Sequence, residues 1–184
     1  MRQSNVFSLT LCALFAALIA AGAFLRVPIP VVPFTLQFLF AALAGLLLGG
    51  RLGLYSVLLY LFMGLIGLPV FAEGGGLFYV LKPSFGYLIG FAVAAYWIGR
   101  VAHRVPSPSF RRLLLASFLG LAIVYLFGMV YYALISSFYL GNPIGLWPLF
   151  LYCFLLAVPG DIVLCVLAAA LATRLIPHLN LNRK

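Results

Sequence analysis

The chain has 184 residues, of which 66% are hydrophobic and 7% are charged, and its mean hydropathy is +1.24. Soluble domains draw about a quarter of their residues from the charged types, so this composition indicates an all-α integral membrane protein. A spanning helix needs about 20 apolar residues. We therefore expect residues 1–184 to form a single transmembrane domain of six helices, with no soluble catalytic domain beside it.

The net charge is +9, from eleven Lys and Arg side chains against two acids. In a soluble protein such a balance is typical of a nucleic-acid-binding domain. No basic and aromatic surface motif accompanies the charge here, so the sequence argues against nucleic acid as a partner. The bases instead lie at the ends of apolar runs, where they indicate membrane orientation.

Apolar runs in chain order predict six spans, at 7–25, 34–50, 52–70, 77–99, 113–135 and 146–173. If the N-terminus is cytoplasmic, only Arg26 and Lys82 fall on the outer side. The inner side then holds all the other bases: Arg2, Arg51, Arg100, Arg104, Arg111, Arg112, Arg174, Arg183 and Lys184. Because basic residues are retained in the cytoplasm, both termini are predicted to be cytoplasmic and the chain to lie in the cytoplasmic membrane.

The first run has two features of its own. A single Arg, an apolar stretch and Ala21-Gly22-Ala23 are compatible with a cleavable signal peptide, but the run is long for a signal core and we interpret it as a span. The second feature is a stripe of small residues: Ala13, Ala16, Ala17 and Ala20. Small residues allow close helix approach, so this stripe either packs within the chain or faces a partner protein in the membrane.

The predicted outer connections have unusual backbone chemistry. Pro28, Pro30 and Pro33 exclude a helix between the first two spans. The connection after the third span carries Glu73 and a run of three glycines, and the last outer connection is 139–143. The inner connections lack such features apart from Pro106 and Pro108. This asymmetry favours a binding site that opens outward.

Asp161 is the most informative single residue, because it lies inside the sixth apolar run, directly after Pro159-Gly160. A carboxylate at that depth is costly unless it faces a cavity or has a partner. Asp161 is therefore either a ligand-binding residue or a structural one, as a helix cap or in an ion pair with Arg26 or Lys82.

The other candidate substrate-binding residues lie near the predicted outer ends of the spans. Gln37 and Thr35 enter the second span below the proline-rich loop and offer donors and acceptors at membrane depth. Arg26 and Lys82 supply cations, and Phe71 and Tyr87 belong to an aromatic cluster whose members are mostly expected to pack or to anchor the interface. We include Arg26, Lys82, Phe71 and Tyr87 with Asp161, Gln37 and Thr35 in the predicted site.

The sequence contains no group of residues typical of a catalytic or metal-binding site. Cys12, Cys153 and Cys165 lie singly in apolar runs, and His103 and His178 lie in polar connections. The chain has no phosphate-binding loop of the kind that ATPases use. We therefore predict neither an enzyme, nor a cofactor, nor a metal site.

Four motifs together resemble one known family. The chain is similar to BioY, the biotin-specific substrate-binding subunit of energy-coupling factor transporters, over about residues 6 to 172. The segments that carry the resemblance are Val32-Pro33-Phe34-Thr35-Leu36-Gln37, Ala44-Gly45-Leu46-Leu47-Leu48-Gly49, 59–72 with the glycine run that follows, and Pro159-Gly160-Asp161.

The resemblance implies a six-helix protein that captures biotin from outside the cell. It also implies partners, namely a transmembrane coupling protein and two ATP-binding-cassette ATPases, and it assigns the alanine stripe to docking on the coupling protein. Two positions depart from the family pattern: Leu164 stands where members often carry a lysine, and Pro83-Ser84-Phe85-Gly86-Tyr87 replaces Pro-Thr-Gly-Gly-Tyr. The first departure removes a cation from the implied pocket.

Two other function classes stay open on the sequence. One is a self-sufficient proton-coupled carrier in which Asp161 or Glu73 takes up the proton. The other is an accessory membrane subunit that binds no ligand.

Overall fold

The computed structural model describes residues 2–27, 33–141 and 144–178. Its helices are α1 Arg2–Phe24, α2 Gln37–Leu48, α3 Gly50–Leu65, α4 Phe85–Ala102, α5 Phe110–Phe138, α6 Leu146–Phe150 and α7 Val158–Leu175. Among these residues, four helical stretches are long and apolar enough to cross a membrane: Val6–Phe24, Phe85–Ala102, Phe110–Phe138 and Trp147–Leu175. The chain is thus a helical, multi-pass membrane protein.

The second and third predicted spans are shorter as helices than the sequence suggested. Residues Phe34–Thr35 form a strand, β2, that pairs antiparallel with β1, Arg26–Val27, so α2 begins only at Gln37 and has 12 residues. A break at Gly49, whose φ is 86°, separates α2 from α3, and α3 ends at Leu65 rather than near 70. Residues 28–32, which include Pro28 and Pro30, lie outside the described part of the chain.

The fourth and sixth spans also differ from the predicted runs. A 3₁₀-helix, Leu77–Leu81, precedes α4, so the helix of the fourth predicted run starts at Phe85 and not at 77. In the sixth predicted run, a π-helix, Leu151–Leu155, lies between α6 and α7. Pro159 in the first turn of α7 has no N–H to continue the preceding helix, which accounts for the interruption.

Helix α2 is central to the bundle and packs against α1, α3, α4 and α7. A helix that is apolar all round belongs in an interior, and all but two residues of α2 are buried. At about 1.5 Å per residue α2 is about 18 Å long, less than the apolar layer of a bilayer. Because neighbouring helices and not lipid surround it, its length need not match that layer.

Glycines let the helix backbones approach closely. A Cβ atom on Gly45 would lie 2.5 Å from the carbonyl oxygen of Ala95 in α4, and one on Gly53 would lie 2.8 Å from the Cα of Gly45. Gly99 in α4 similarly faces Gly50 at the start of α3. The motif at Gly45 therefore serves packing within the chain.

The alanine stripe of α1 is divided between two faces. Ala16 and Ala20 are buried in the core, at 0% and 8% exposure, where the chain's own helices cover them. Ala13 and Ala17 are exposed. Only these two residues of the stripe are accessible to another protein.

The close contact at Gly45 predicts a specific loss of stability. We expect Gly45→Ala to lower the free energy of unfolding by about 1–3 kcal/mol, because the new methyl group meets backbone that cannot rotate away. Thermal unfolding in detergent measures this, and a thiol-reactive dye can report it because Cys12, Cys153 and Cys165 are free and buried. Ala21→Val, on the exposed face of α1, is the matched control; equal melting temperatures of the two variants would contradict the prediction.

Candidate functional site

A cavity lies at the end of the bundle that carries Arg26 and Lys82. The space between its walls that no atom occupies, including the part open to solvent, is about 700 Å³. Its walls come from the hairpin strand β2, the N-terminus of α2, the loop at Ala72, the 3₁₀-helix, α4, α5, the π-helix and α7. Its lining combines apolar and aromatic side chains with a few polar groups, which is the usual make-up of a small-molecule site.

Asp161 supplies the carboxylate of this cavity. It lies in the first turn of α7 and is 9% exposed, and the phenol of Tyr125 in α5 donates a hydrogen bond to its Oδ2 atom at 2.5 Å. Asp161 does not cap α7, whose N-cap is Ala157 without a side-chain bond. Within the described residues it also forms no ion pair, so neither structural role that the sequence suggested is observed.

The N-terminus of α7 is shaped by Gly160. A Cβ atom at this position would lie 2.7 Å from the ring of Phe34 in β2. The absence of a side chain thus lets Phe34 pack directly over the helix start, next to Asp161. Both Phe34 and Asp161 line the cavity.

Aromatic side chains join α4, α5 and the π-helix around the carboxylate. Tyr87 donates a hydrogen bond to the carbonyl oxygen of Cys153, at 2.8 Å, and its ring meets that of Tyr125 edge to face at 6.2 Å. Tyr125 also contacts Phe154 edge to face at 4.9 Å. π-Helical turns occur frequently at functional sites, and here the π-helix brings Tyr152 and Cys153 to the cavity wall.

Gln37 is a second polar group of the cavity lining, at the N-terminus of α2. Its side-chain oxygen accepts a hydrogen bond from Thr35 at 2.9 Å, and its side-chain nitrogen donates to the Tyr60 phenol at 2.6 Å. Tyr60 donates in turn to the carbonyl oxygen of Val70, at 3.3 Å. These three hydrogen bonds connect β2, α2, α3 and the loop that follows α3.

The loop of residues 66–76 is held by Phe71. This side chain is 1% exposed, and its ring lies 5.4 Å from that of Tyr60 and 4.5 Å from that of Tyr79. Gly64 in α3 leaves room for it, since a Cβ atom there would clash with the Phe71 ring. Phe71 therefore positions Ala72 and Tyr79 at the cavity without lining it.

Tyr79 lies in the 3₁₀-helix, outside the membrane spans. Burial raises the pKa of its phenol. A phenol is protonated at neutral pH even at its ordinary pKa, so Tyr79 lines the cavity as a neutral side chain.

The two cations of this end are engaged by the loop. Arg26 donates to the carbonyl oxygen of Ala72, and Lys82 forms a salt bridge of 2.9 Å with Glu73. Neither cation lines the cavity. They lie beside it, Arg26 in β1 next to Ala72 and Lys82 two residues before Ser84.

The structure thus brings together four of the predicted substrate-binding residues, namely Asp161, Gln37, Thr35 and Tyr87, and leaves Lys82, Arg26 and Phe71 outside the lining. Sequence reasoning missed Tyr125, Tyr152 and Ser84, all of which line the cavity. Tyr125 and Tyr152 carry no local signal, because aromatic residues in apolar runs are usually packing residues. Ser84 stands within the motif 83–87 that departs from the family pattern.

Comparison with known proteins agrees with this geometry. The model of the BioY family matches residues 1–180. The chain belongs to the BioY family. It is 46% identical to the probable biotin transporter BioY of Lysinibacillus sphaericus, over 95% of this chain and 89% of the relative. With the probable biotin transporter BioY of Pyrococcus horikoshii it shares 38% identity, over 90% of this chain and 94% of the relative.

A solved structure also resembles the chain. It is the S-component for biotin from an ECF-type ABC transporter, with a TM-score of 0.83 and 30% identity, covering 95% of this chain and 93% of that chain. The BioY resemblance seen in the four sequence motifs is thereby confirmed.

The Tyr125–Asp161 bond predicts how the site contributes to stability. Tyr125→Phe should lower the free energy of unfolding by about 1–3 kcal/mol, because a buried acceptor loses its donor. Thermal unfolding in detergent measures the loss, with Tyr139→Phe at an exposed position as the control. In an Asp161→Asn background the same change should cost less; equal costs in both backgrounds would show that the two side chains are not coupled.

Proposed function

We propose that the chain captures biotin at the outer face of the cytoplasmic membrane, as the substrate-binding subunit of an energy-coupling factor transporter. The observation that carries the proposal is the cavity lined by Asp161 and Gln37, in a chain of the BioY family. The named relatives are biotin transporters. The function is therefore transport, and hydrolysis of ATP is assigned to partner proteins.

The head group of biotin fits the polar groups of the cavity. Its cyclic urea presents two N–H donors and one carbonyl acceptor. A carboxylate has about four acceptor sites, and Tyr125 occupies one of those on Asp161, so Asp161 can accept from the urea N–H groups. Gln37 retains one donor and one acceptor site beyond its bonds to Tyr60 and Thr35, and can donate to the urea carbonyl.

The tail of biotin ends in a carboxylate, for which the described lining offers no Lys or Arg side chain. Leu164 is buried in α7 and does not line the cavity. We assign the tail to the side of the cavity beside Arg26 and Lys82. Arg26 already donates to the carbonyl oxygen of Ala72, and Lys82 already pairs with Glu73. Each cation would therefore contact the biotin carboxylate in addition to its present partner.

The proposal includes a topology. We infer one domain over residues 1–184 with six spans, in which α2 and α3 cross as short helices, and with both termini cytoplasmic. The distribution of bases supports this orientation, because Arg51, Arg100 and Arg104 gather at the end opposite the cavity.

The proposal also includes partners, a transmembrane coupling protein and two ABC-type ATPases. Ala13 and Ala17 are the docking residues that remain accessible, four positions apart on the exposed face of α1. Small residues at this spacing let a second helix approach closely.

Biotin binding tests the role of Asp161. Asp161→Asn keeps the size of the side chain but removes the charge, and should weaken binding by about 1.5–3 kcal/mol, as expected for a hydrogen bond to a charged group. Isothermal titration of the purified protein measures the loss, with Tyr139→Phe, at an exposed position that does not line the cavity, as the control. Desthiobiotin, which keeps the urea, should compete far better than lipoate. Unchanged affinity in a folded Asp161→Asn protein would remove Asp161 from the site.

Energised uptake tests docking at α1. Replacing Ala13 and Ala17 by Leu should abolish uptake in cells that supply the energy module, while biotin binding to the isolated subunit persists, because the added bulk blocks only the approach of another helix. Ala122→Leu, at an exposed position of α5, is the control. A self-sufficient proton-coupled carrier would instead keep uptake in the alanine variant and lose it when the proton gradient collapses.

A further inference from the structure

A second cleft lies at the opposite end of the bundle from the biotin-site cavity. It has about 900 Å³ of open space and is lined by the α2–α3 turn and the C-terminal end of α4. Three arginines converge on it: Arg51, Arg100 and Arg104. The function proposed above uses none of these residues.

Close backbone packing builds this cleft. Gly99 in α4 lies against the Gly49–Gly50 segment so closely that a Cβ atom would clash. A Cβ atom on Gly50 would lie 3.0 Å from the Cγ of Arg100. The turn before α3 and the last turn of α4 are therefore fixed against each other, and Arg100 is held beside the start of α3.

Two side chains of the cleft have partners that orient them. The Nε2 atom of His103 lies 2.8 Å from the carbonyl oxygen of Leu46, which secures the residue after α4 to α2. The Arg100 guanidinium lies 5.9 Å from the ring centroid of Tyr96. Neither contact neutralises a cation.

No acidic side chain of the chain balances these three arginines. The sequence contains only two acids, and they are Glu73, which pairs with Lys82, and Asp161, which accepts from Tyr125. Both belong to the other end of the bundle. Three guanidinium groups around one open cleft thus create a positive electrostatic potential, which attracts and stabilises a bound anion.

The surroundings of the cleft indicate the level of lipid headgroups. Trp97 and Tyr55 lie on the elements that form it, and they are 44% and 54% exposed. Exposed Trp and Tyr side chains are enriched at the membrane interface. Along α3, Leu58, Leu59 and Phe62 continue an exposed apolar face away from the cleft, which offers a surface for an acyl chain.

We propose that this cleft binds the phosphate of an anionic phospholipid headgroup, with Arg51, Arg100 and Arg104 contacting the phosphate and the α3 face contacting an acyl chain. Arginine is suited to this role because its planar guanidinium contacts two phosphate oxygens at once. Basic pockets between helices on the cytoplasmic side are a recognised form of lipid site. The apolar face beside the cleft favours a lipid over a soluble phosphate.

Thermal unfolding in detergent, with added lipid, tests the proposal. Phosphatidylglycerol should raise the melting temperature more than phosphatidylcholine does, and inorganic phosphate should raise it little. Arg100→Gln combined with Arg104→Gln should remove most of the difference between the two lipids. Arg111→Gln combined with Arg174→Gln, two exposed charges at the same end of the bundle but outside the cleft, should leave it intact.

Three outcomes would overturn the proposal. Equal effects of the two lipids would exclude an anionic headgroup, and an equal loss in both double variants would show that general surface charge is responsible. A shift with inorganic phosphate as large as that with phosphatidylglycerol would assign the cleft to a soluble anion. If the Arg100 and Arg104 variant does not fold, Arg51→Gln is used instead. Native mass spectrometry should then show less phosphatidylglycerol retained by Arg51→Gln than by the unchanged protein, and equal retention would contradict the proposal.

Discussion

The rest of the structure depends on the need to pair polar side chains inside an apolar bundle. A bilayer offers no water to satisfy them, so an unpaired group costs free energy. In the described residues no buried side-chain nitrogen or oxygen lacks a hydrogen-bond partner. Each of the central bonds joins two separate elements: Gln37 to Tyr60, Asp161 to Tyr125, and Tyr87 to the backbone at Cys153.

The same bonds shape the cavity. Gln37 and Asp161 face it from α2 and α7, and each is positioned by one partner while keeping capacity for another. A polar group that is satisfied and still has a free acceptor or donor can bind a ligand without a large cost in the empty state. Under the proposed function, packing and biotin recognition share these residues, and a substitution at either one is expected to affect both.

Helix α2 shows how the bundle makes room for such a site. Being enclosed by its neighbours, it can be short, and it begins only at Gln37, where a full-length span would already be helical. The space left above it is occupied by the β1–β2 hairpin and the loop held by Phe71. At its other end, the turn at Gly49 meets α4 and places the arginines together.

The sequence by itself determined the class of the molecule, its apolar runs, its family and two polar residues of the cavity lining, Asp161 and Gln37. These follow from local properties: the cost of a charge in an apolar run, the backbone limits of Pro and Gly, and motifs of contiguous residues. Helix ends were less predictable, because Phe34–Thr35 and 77–84 are apolar enough to extend a span, and only pairing with β1 and packing around Phe71 take them out of it.

The tertiary structure alone decided which side chains meet. Tyr125 is 36 residues from Asp161, and nothing in its neighbourhood distinguishes it from other aromatic residues of a span. Ala13 and Ala16 are equivalent in sequence, yet one is exposed and the other is covered by the chain's own helices. Which face of a helix is buried depends on how several helices pack against one another, and in an apolar span, where every face is hydrophobic, the sequence pattern does not mark that face.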